Sequence, residues 1–209
     1  WYDGRALAES VKTVAWKYAS AGQPFPLSGD SHMTERSLLE IVDELRLKYQ
    51  DLALVAVVGS NVTDWMRRTR SLDLDARKSL YINERVLDQQ EWYSSKESYN
   101  RRRARQWRWT LVTAEAFGVV AGVTEAVTMG PTHVGPISAA FTVAIVAWLE
   151  TKQHDQVAKA YGTTVSDLAS ARAKLLSVDT EEAWAQEMND AEDAISREHT
   201  LWLASRSRR

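Results

Sequence analysis

The chain has no cysteine, so no disulfide, zinc–thiolate site or thiol nucleophile is available, and thiols say nothing of its redox compartment. Proline and glycine are scarce, four and nine in 209 residues, which leaves room for long uninterrupted helices. A surplus of basic charge is also missing: 26 Lys and Arg against 28 Asp and Glu give a formal net charge of −2. Phosphate neutralisation needs a net basic face, so no nucleic acid is expected as a partner and any basic patch must be local. The four histidines, His32, His133, His154 and His199, share no metal-ligand spacing, and no HExxH, P-loop, Gly-rich dinucleotide fingerprint or GxSxG elbow occurs. Glu198 and His199 beside Arg197 point to different faces of a helix and make no acid–base pair. We therefore expect no catalytic residue, no metal and no cofactor, and a protein that is not an enzyme. No cleavable signal-peptide pattern is found, and an opening on Trp1 rather than Met predicts further residues upstream.

What is present is charge segregated along the chain. The mean hydropathy of −0.37 is that of a soluble protein, but the average hides a sharp boundary. Glu91 to Arg108 is dense in charge, Trp109 marks an edge, and an apolar stretch opens at Thr110. From there to Leu149 the only formally charged side chains are Glu115 and Glu125.

The periodicity predicts an all-α protein. Trp1 to Ser20 places Ala6, Val11, Val14, Ala15 and Tyr18 near one face, and Ala21-Gly22-Gln23-Pro24-Phe25-Pro26 stops that helix. A second helix is expected from near Thr34 to at least Tyr49, with Glu35 in its first turn. Leu52 to Val58 is a short apolar run that periodicity assigns neither to helix nor to strand. Asp75 to Phe117 contains no Gly or Pro, so one helix can pass from an arm straight into the apolar stretch, with Leu80, Ile82, Val86, Leu87, Trp92 and Tyr93 available for packing. Met129 to Pro136 reads as a hairpin turn with two Gly-Pro breaks. After Leu149 the chain reads helical to Leu176, weakest at Gly162, with Val157, Tyr161, Val165, Leu168 and Leu175 as its apolar seam. Asp179 and Glu182 have the spacing of a capping box. Trp184, Met188, Ala191, Ile195 and Trp202 then form a heptad seam, with Glu198 in the skipped slot, for a neighbouring helix or a partner chain.

A bilayer core about 30 Å thick needs roughly 20 residues of helix. Residues 110–128 supply nineteen and residues 132–149 supply eighteen. Lys96, Arg101, Arg102, Arg103, Arg105 and Arg108 precede the first span, Lys152 and Lys159 follow the second, and the turn has no Lys or Arg. The positive-inside rule then places both arms in the cytoplasm. Trp107, Trp109 and Trp148 fall at the same interface, where indoles prefer to sit, so these tryptophans with Arg101 to Arg108 and Lys152 are the expected membrane anchors. Beside an apolar span, Arg101-Arg102-Arg103 reads as a headgroup anchor before an RNA or nucleotide site.

Two central carboxylates would cost roughly 5–7 kcal/mol of insertion, against about 2–4 kcal/mol from the seven Leu, Val and Phe residues of the first span. Both acids lie nearer its ends, and neighbouring helices or subunits can shelter them. On a helical wheel Glu115, Gly118, Gly122 and Glu125 fall within an arc of about 80°, at about 100° per residue. Such a stripe is a pore lining or ion path if the acids face water, or a small-xxx-small packing surface built on Gly118 and Gly122. A wider alternative buries the hairpin in a soluble helical bundle.

Short words in the sequence carry a resemblance. Tyr81-Ile82-Asn83-Glu84-Arg85-Val86-Leu87-Asp88-Gln89-Gln90-Glu91-Trp92-Tyr93, then Lys96, Asn100-Arg101-Arg102, the hairpin, and Ala194-Ile195-Ser196-Arg197-Glu198-His199-Thr200-Leu201-Trp202 resemble bacterial SLATT domains, the SMODS- and SLOG-associating two-transmembrane effectors. Trp1-Tyr2-Asp3-Gly4-Arg5-Ala6-Leu7-Ala8-Glu9-Ser10-Val11-Lys12-Thr13, with Pro24-Phe25, resembles the region after the hairpin of a preceding SLATT unit in tandem members. The resemblance divides the chain into an N-terminal cytoplasmic helical region, 1–70, and a SLATT-like unit, 71–209, whose hairpin continues into a coiled-coil-like stalk. It implies a membrane effector of prokaryotic antiphage conflict systems that assembles in the bacterial cytoplasmic membrane and perforates or depolarises it when a nucleotide-linked sensor protein fires. It also implies an earlier hairpin upstream of Trp1. The implied partners are the lipid bilayer, further copies of the chain and that sensor; a non-conducting, membrane-anchored scaffold recruiting partners through its arms is the alternative.

Overall fold

The computed structural model describes residues 2–49, 62–128 and 134–206, with side chains at 4–49, 62–128 and 134–196. The apolar run from Leu52 to Val58, the part of the turn from Met129 to His133, and the side chains of Glu198 and Trp202 lie outside the described residues. All the regular elements among the described residues are helical. They are α1 (Tyr2–Ala19), α2 (Ser31–Lys48), α3 (Asp64–Arg70), α4 (Leu74–Tyr81), a π-helical segment (Ile82–Leu87), α5 (Asp88–Thr128), α6 (Val134–Lys152), α7 (His154–Ser177) and α8 (Glu181–Arg206). They form two compact units, residues 1–91 with 164–209, and residues 92–163; the divisions fall inside α5 and α7.

The first unit is a helical core in two clusters. Tyr18, Ala19, Phe25, Leu38, Val42, Val62 and Met66 join α1, α2 and α3. Tyr81, Ile82, Val86, Leu175, Val178, Trp184, Met188 and Ala191 join α4, the π-helical segment, α7 and α8, with Trp16 of α1 packed against them. The α8 seam is thus occupied by the chain's own helices: Trp184, Met188 and Ala191 are fully buried and Ile195 nearly so. Trp184 donates its indole N–H to the Ser20 carbonyl at 2.6 Å, which satisfies a polar atom that burial would otherwise leave costly.

Helix ends account for most departures from the expected boundaries. α2 starts at Ser31 rather than near Thr34, because the Asp30 side chain accepts the His32 N–H at 2.9 Å and caps it earlier. α8 is capped by Thr180, whose hydroxyl accepts the Ala183 N–H at 3.3 Å, and not by Asp179, which lies exposed 4.0 Å from Lys78. α1 ends with Ala21 in the left-handed region, φ 58°, followed by a Gly22 N–H bond to the Lys17 carbonyl at 2.8 Å. This is a Schellman-type termination with alanine where glycine is usual. Gly22 meets a different constraint: a Cβ there would stand 2.1 Å from Met188 Sδ, so the buried Met188 side chain would have to shift.

The stretch from Leu74 to Thr128 is helical without interruption, as the absence of Gly and Pro up to Phe117 predicts. Its π-helical segment has no warning in the sequence. Within that segment Arg85 is 1 % and Glu192 of α8 is 0 % exposed. Glu192 accepts hydrogen bonds from Arg85 Nε at 2.9 Å, Arg85 Nη2 at 2.9 Å, the Tyr81 hydroxyl at 3.1 Å and the Thr13 hydroxyl at 2.9 Å. Burial, and then the Glu192 carboxylate, push the Tyr81 phenol well above its ordinary range, so it stays a neutral donor. Arg77, also fully buried, pairs with Glu181, and Lys78 donates to the Val178 carbonyl, so three cations of α4 and the π-helical segment are held by α8 and the chain just before it.

The expected continuous helix after Leu149 is broken at Gln153, φ 48°, and not at Gly162. A left-handed non-glycine residue costs about 1–2 kcal/mol. Gly162 remains helical and faces Glu97, whose carboxylate would be 3.6 Å from an added Cβ.

Candidate functional site

The second unit centres on the hairpin of α5 and α6. α6 has 19 residues, about 28 Å at 1.5 Å per residue, which matches a bilayer core. The second span therefore starts at Val134 within the described residues, and Gly135-Pro136 opens its first turn, where a missing N–H costs nothing.

The two helices meet along a narrow seam. On α5, Leu111, Ala114, Gly118, Ala121 and Glu125 are half-buried at alternating spacings of three and four. On α6, Gly135, Ser138, Thr142 and Leu149 are half-buried and Ile145 is buried, with the same spacing. A Cβ on Gly118 would lie 3.3 Å from Ser138 Oγ, and one on Gly135 would lie 3.2 Å from Glu125 Oε2. Small residues bring the backbones close, as expected where lipid gives no hydrophobic drive for helix association.

The predicted stripe is divided by this seam. Gly118 and Glu125 face α6, whereas Glu115 and Gly122 are exposed, with nothing within 4 Å of a Cβ built on Gly122. Away from the seam the hairpin is apolar and uncovered: Phe117 and Phe141 are each 62 % exposed and Val127 is 76 % exposed. The core helix of a soluble bundle would hide such side chains, and the apolar windows of the two spans are 0 % and 6 % buried. Thr110, Thr113, Thr124 and Thr128 return their hydroxyls to carbonyls one turn back at 2.8–3.0 Å, so the threonine hydroxyls of the span are satisfied within the helix.

The arm-proximal end of the hairpin gathers the predicted anchors. The Trp107 and Trp148 rings lie 5.9 Å apart, and Lys152 Nζ sits 4.7 Å from the Trp148 ring centroid. Arg108 lies 3.8 Å from Asp155, Arg101 pairs with Glu97, and Arg103 donates to the Tyr99 hydroxyl at 3.3 Å. Arg102, Arg105 and Trp109 are exposed. The Lys159 ammonium, hydrogen-bonded to Asp155 at 2.7 Å, holds that carboxyl below its ordinary range. His154 contacts Asn100 Oδ1 at 2.8 Å; burial, and then Arg103 and Lys152, hold its imidazole below the usual histidine value. Below this level Trp92, Tyr93 and Tyr161 form an aromatic cluster with centroids 4.9–5.9 Å apart.

Residues 81–202 match the family described as SMODS and SLOG-associating 2TM effector domain 1. The chain belongs to the SLATT family. Residues 1–78 match a second member of it, SMODS and SLOG-associating 2TM effector domain 3, so two SLATT patterns follow one another as in tandem proteins. No curated protein and no solved structure matches the chain. SLATT domains are two-transmembrane effector domains, which makes this chain a membrane protein and identifies it as a membrane effector of conflict systems.

Sequence reasoning missed the buried polar node of the SLATT arm, Thr13, Tyr81, Arg85 and Glu192. Tyr81 and Arg85 open the words that carry the resemblance, yet a buried Arg in a charged helix has no periodic signature. The available signal was their position one turn apart on the face that also holds Ile82 and Val86.

Proposed function

We propose that this SLATT protein is an oligomeric, pore-forming or membrane-depolarising effector of the bacterial cytoplasmic membrane, acting without catalysis. Its arms lie in the cytoplasm, where a nucleotide-linked sensor protein reaches them. The observation that carries this reading is the exposed edge of α5 at Glu115 and Gly122, turned away from the α6 seam. An acid facing lipid costs about 2.5–3.5 kcal/mol near the middle of a span. Neighbouring copies remove that cost if their Gly122 surfaces let helices approach and their Glu115 side chains turn to a common aqueous lumen. A ring of carboxylates favours cations. The cluster of Arg101, Arg102, Arg103, Arg105 and Arg108 at one end of the hairpin supports the orientation, because the other end has no Lys or Arg.

Planar-bilayer recording of the activated full chain tests the reading. Conductance with cation preference, reduced by Glu115→Ala, is the expected result. A bilayer that stays silent under every trigger refutes the pore and leaves a membrane-anchored scaffold. Conductance indifferent to both Glu115→Ala and Glu125→Ala removes the acids from the conducting path.

A further inference from the structure

A cavity of about 310 Å³ opens where α5, the end of α6 and the start of α7 meet, lined among others by Arg108, Leu111, Leu149, Glu150, Gln153 and Asp155. It lies within the second unit, at the level of the Trp107–Trp148 pair. From its chemistry we infer that this cavity binds the headgroup of a phospholipid carrying a primary ammonium, of the phosphatidylethanolamine type. The inference rests on the assignment of α5 and α6 to the bilayer, which puts this end of the hairpin among the headgroups.

Three features of the lining select such a ligand. The left-handed residue Gln153 separates α6 from α7, so the amides of His154, Asp155 and Gln156 begin a new 24-residue helix at the cavity wall. The first N–H groups of a helix have no intrahelical acceptor and sit at its positive end. No side chain caps them in the hydrogen bonds observed, and Arg108 stands on the same cavity, so one side is built for a phosphate. Asp155 does not cancel it: Lys159 at 2.7 Å neutralises that carboxylate, and Arg108 meets it only at 3.8 Å, longer than a hydrogen bond, so the guanidinium keeps its donors for the ligand. The second feature is Glu150, an exposed carboxylate on the same lining that forms no ion pair among the described residues. A phosphate-only ligand would be repelled by it, whereas an ammonium two carbons from the phosphate meets it as a donor. Thirdly, Leu111 and Leu149 supply an apolar wall on the bilayer side for the start of the acyl chains. A choline headgroup has no N–H to give Glu150, and a glycerol headgroup has no cation.

The test is native mass spectrometry of the full chain in mild detergent, titrated with phosphatidylethanolamine, phosphatidylcholine and phosphatidylglycerol of identical acyl chains. The ethanolamine lipid should bind about ten-fold more tightly than either of the others, a step that one charge-assisted hydrogen bond supplies. Glu150→Gln, at an exposed position that folding does not depend on, should abolish that preference while phospholipid binding persists. Arg108→Gln should weaken all three lipids together. Equal binding of the three, or a preference that survives Glu150→Gln, overturns the site. Displacement of the lipid by equimolar water-soluble glycerophosphoethanolamine overturns the assignment to a membrane lipid. Carbonate washing separates this failure from the broader one: a chain released from membranes loses the span itself, whereas a chain retained in membranes but indifferent to the headgroup loses only this site.

Discussion

Glu192→Ala would leave Arg85 buried with its main counterion gone. The carboxylate accepts four hydrogen bonds in a site where Glu192 is 0 % and Arg85 1 % exposed; among the described residues the other carboxylate paired with Arg85 is Glu9, 3.9 Å from Nη1. Breaking a buried pair from one side costs about 3–5 kcal/mol, because the remaining charge keeps its desolvation penalty without its partner. Thr13 and Tyr81 each lose an acceptor as well, which keeps the expected loss at the upper end of that range. The pair is not itself worth that much. Replacing both residues, as Arg85→Met with Glu192→Met, should cost clearly less than Glu192→Ala alone, since apolar side chains of similar volume do as well as a buried ion pair. Urea unfolding of the detergent-solubilised protein, followed by far-UV circular dichroism, measures both. A Glu192→Ala loss within about 0.5 kcal/mol, the range of ordinary surface changes, would refute the reasoning.

Other expectations follow from the same contacts. The His154 imidazole, held below the usual value by burial and then by Arg103 and Lys152, is neutral in the folded chain at neutral pH. A depressed histidine value means that the unfolded chain takes up the proton first, so the stability it contributes is present above the unfolded value near 6.5 and is lost as pH falls towards the folded one. NMR titration should show this, and Arg103→Gln should move the midpoint up; a midpoint at or above 6.5 in the parent chain contradicts it. Gly118→Leu should overpack the seam against Ser138 and cost about 1–3 kcal/mol in thermal unfolding. At Gly122 an added Cβ has no neighbour within 4 Å among the described residues, so Gly122→Leu should leave unfolding unchanged and shrink the detergent-solubilised particle; a particle of unaltered mass would show that this edge contacts no other copy.

The hairpin was legible because its signals are extended. Nineteen residues without Lys or Arg, bordered by Arg101 to Arg108, state a membrane boundary whatever the tertiary packing. The helical character of Asp75 to Phe117 was legible for the same reason, since it needs only the absence of breakers. Local competition between caps was not. Asp30 caps α2 four residues ahead of the expected start near Thr34, and Thr180 takes the cap expected of Asp179, because which side-chain oxygen reaches the first free N–H is decided by local geometry. The division of the stripe also needed coordinates: Glu115 and Gly122 lie 40–60° from Gly118 at about 100° per residue, and only the position of α6 decides which side of that arc is covered. Gln153 is a further case, because a left-handed glutamine obeys no propensity and is held by the packing around it.

The node joining Thr13, Arg85 and Glu192 also fixes an order of synthesis. Arg85 and Glu192 are 107 positions apart, and the apolar hairpin lies between them. During translation at about 5–20 residues per second, both spans leave the ribosome before α8 exists. The nascent chain therefore commits to the bilayer while its α1–α4 surface still lacks the helix that buries Arg85. Until Glu192 emerges, that arginine lacks its main counterion and has the longer Glu9 contact, 3.9 Å from Nη1, in its place, and the core of the first unit can close only after both spans have been made.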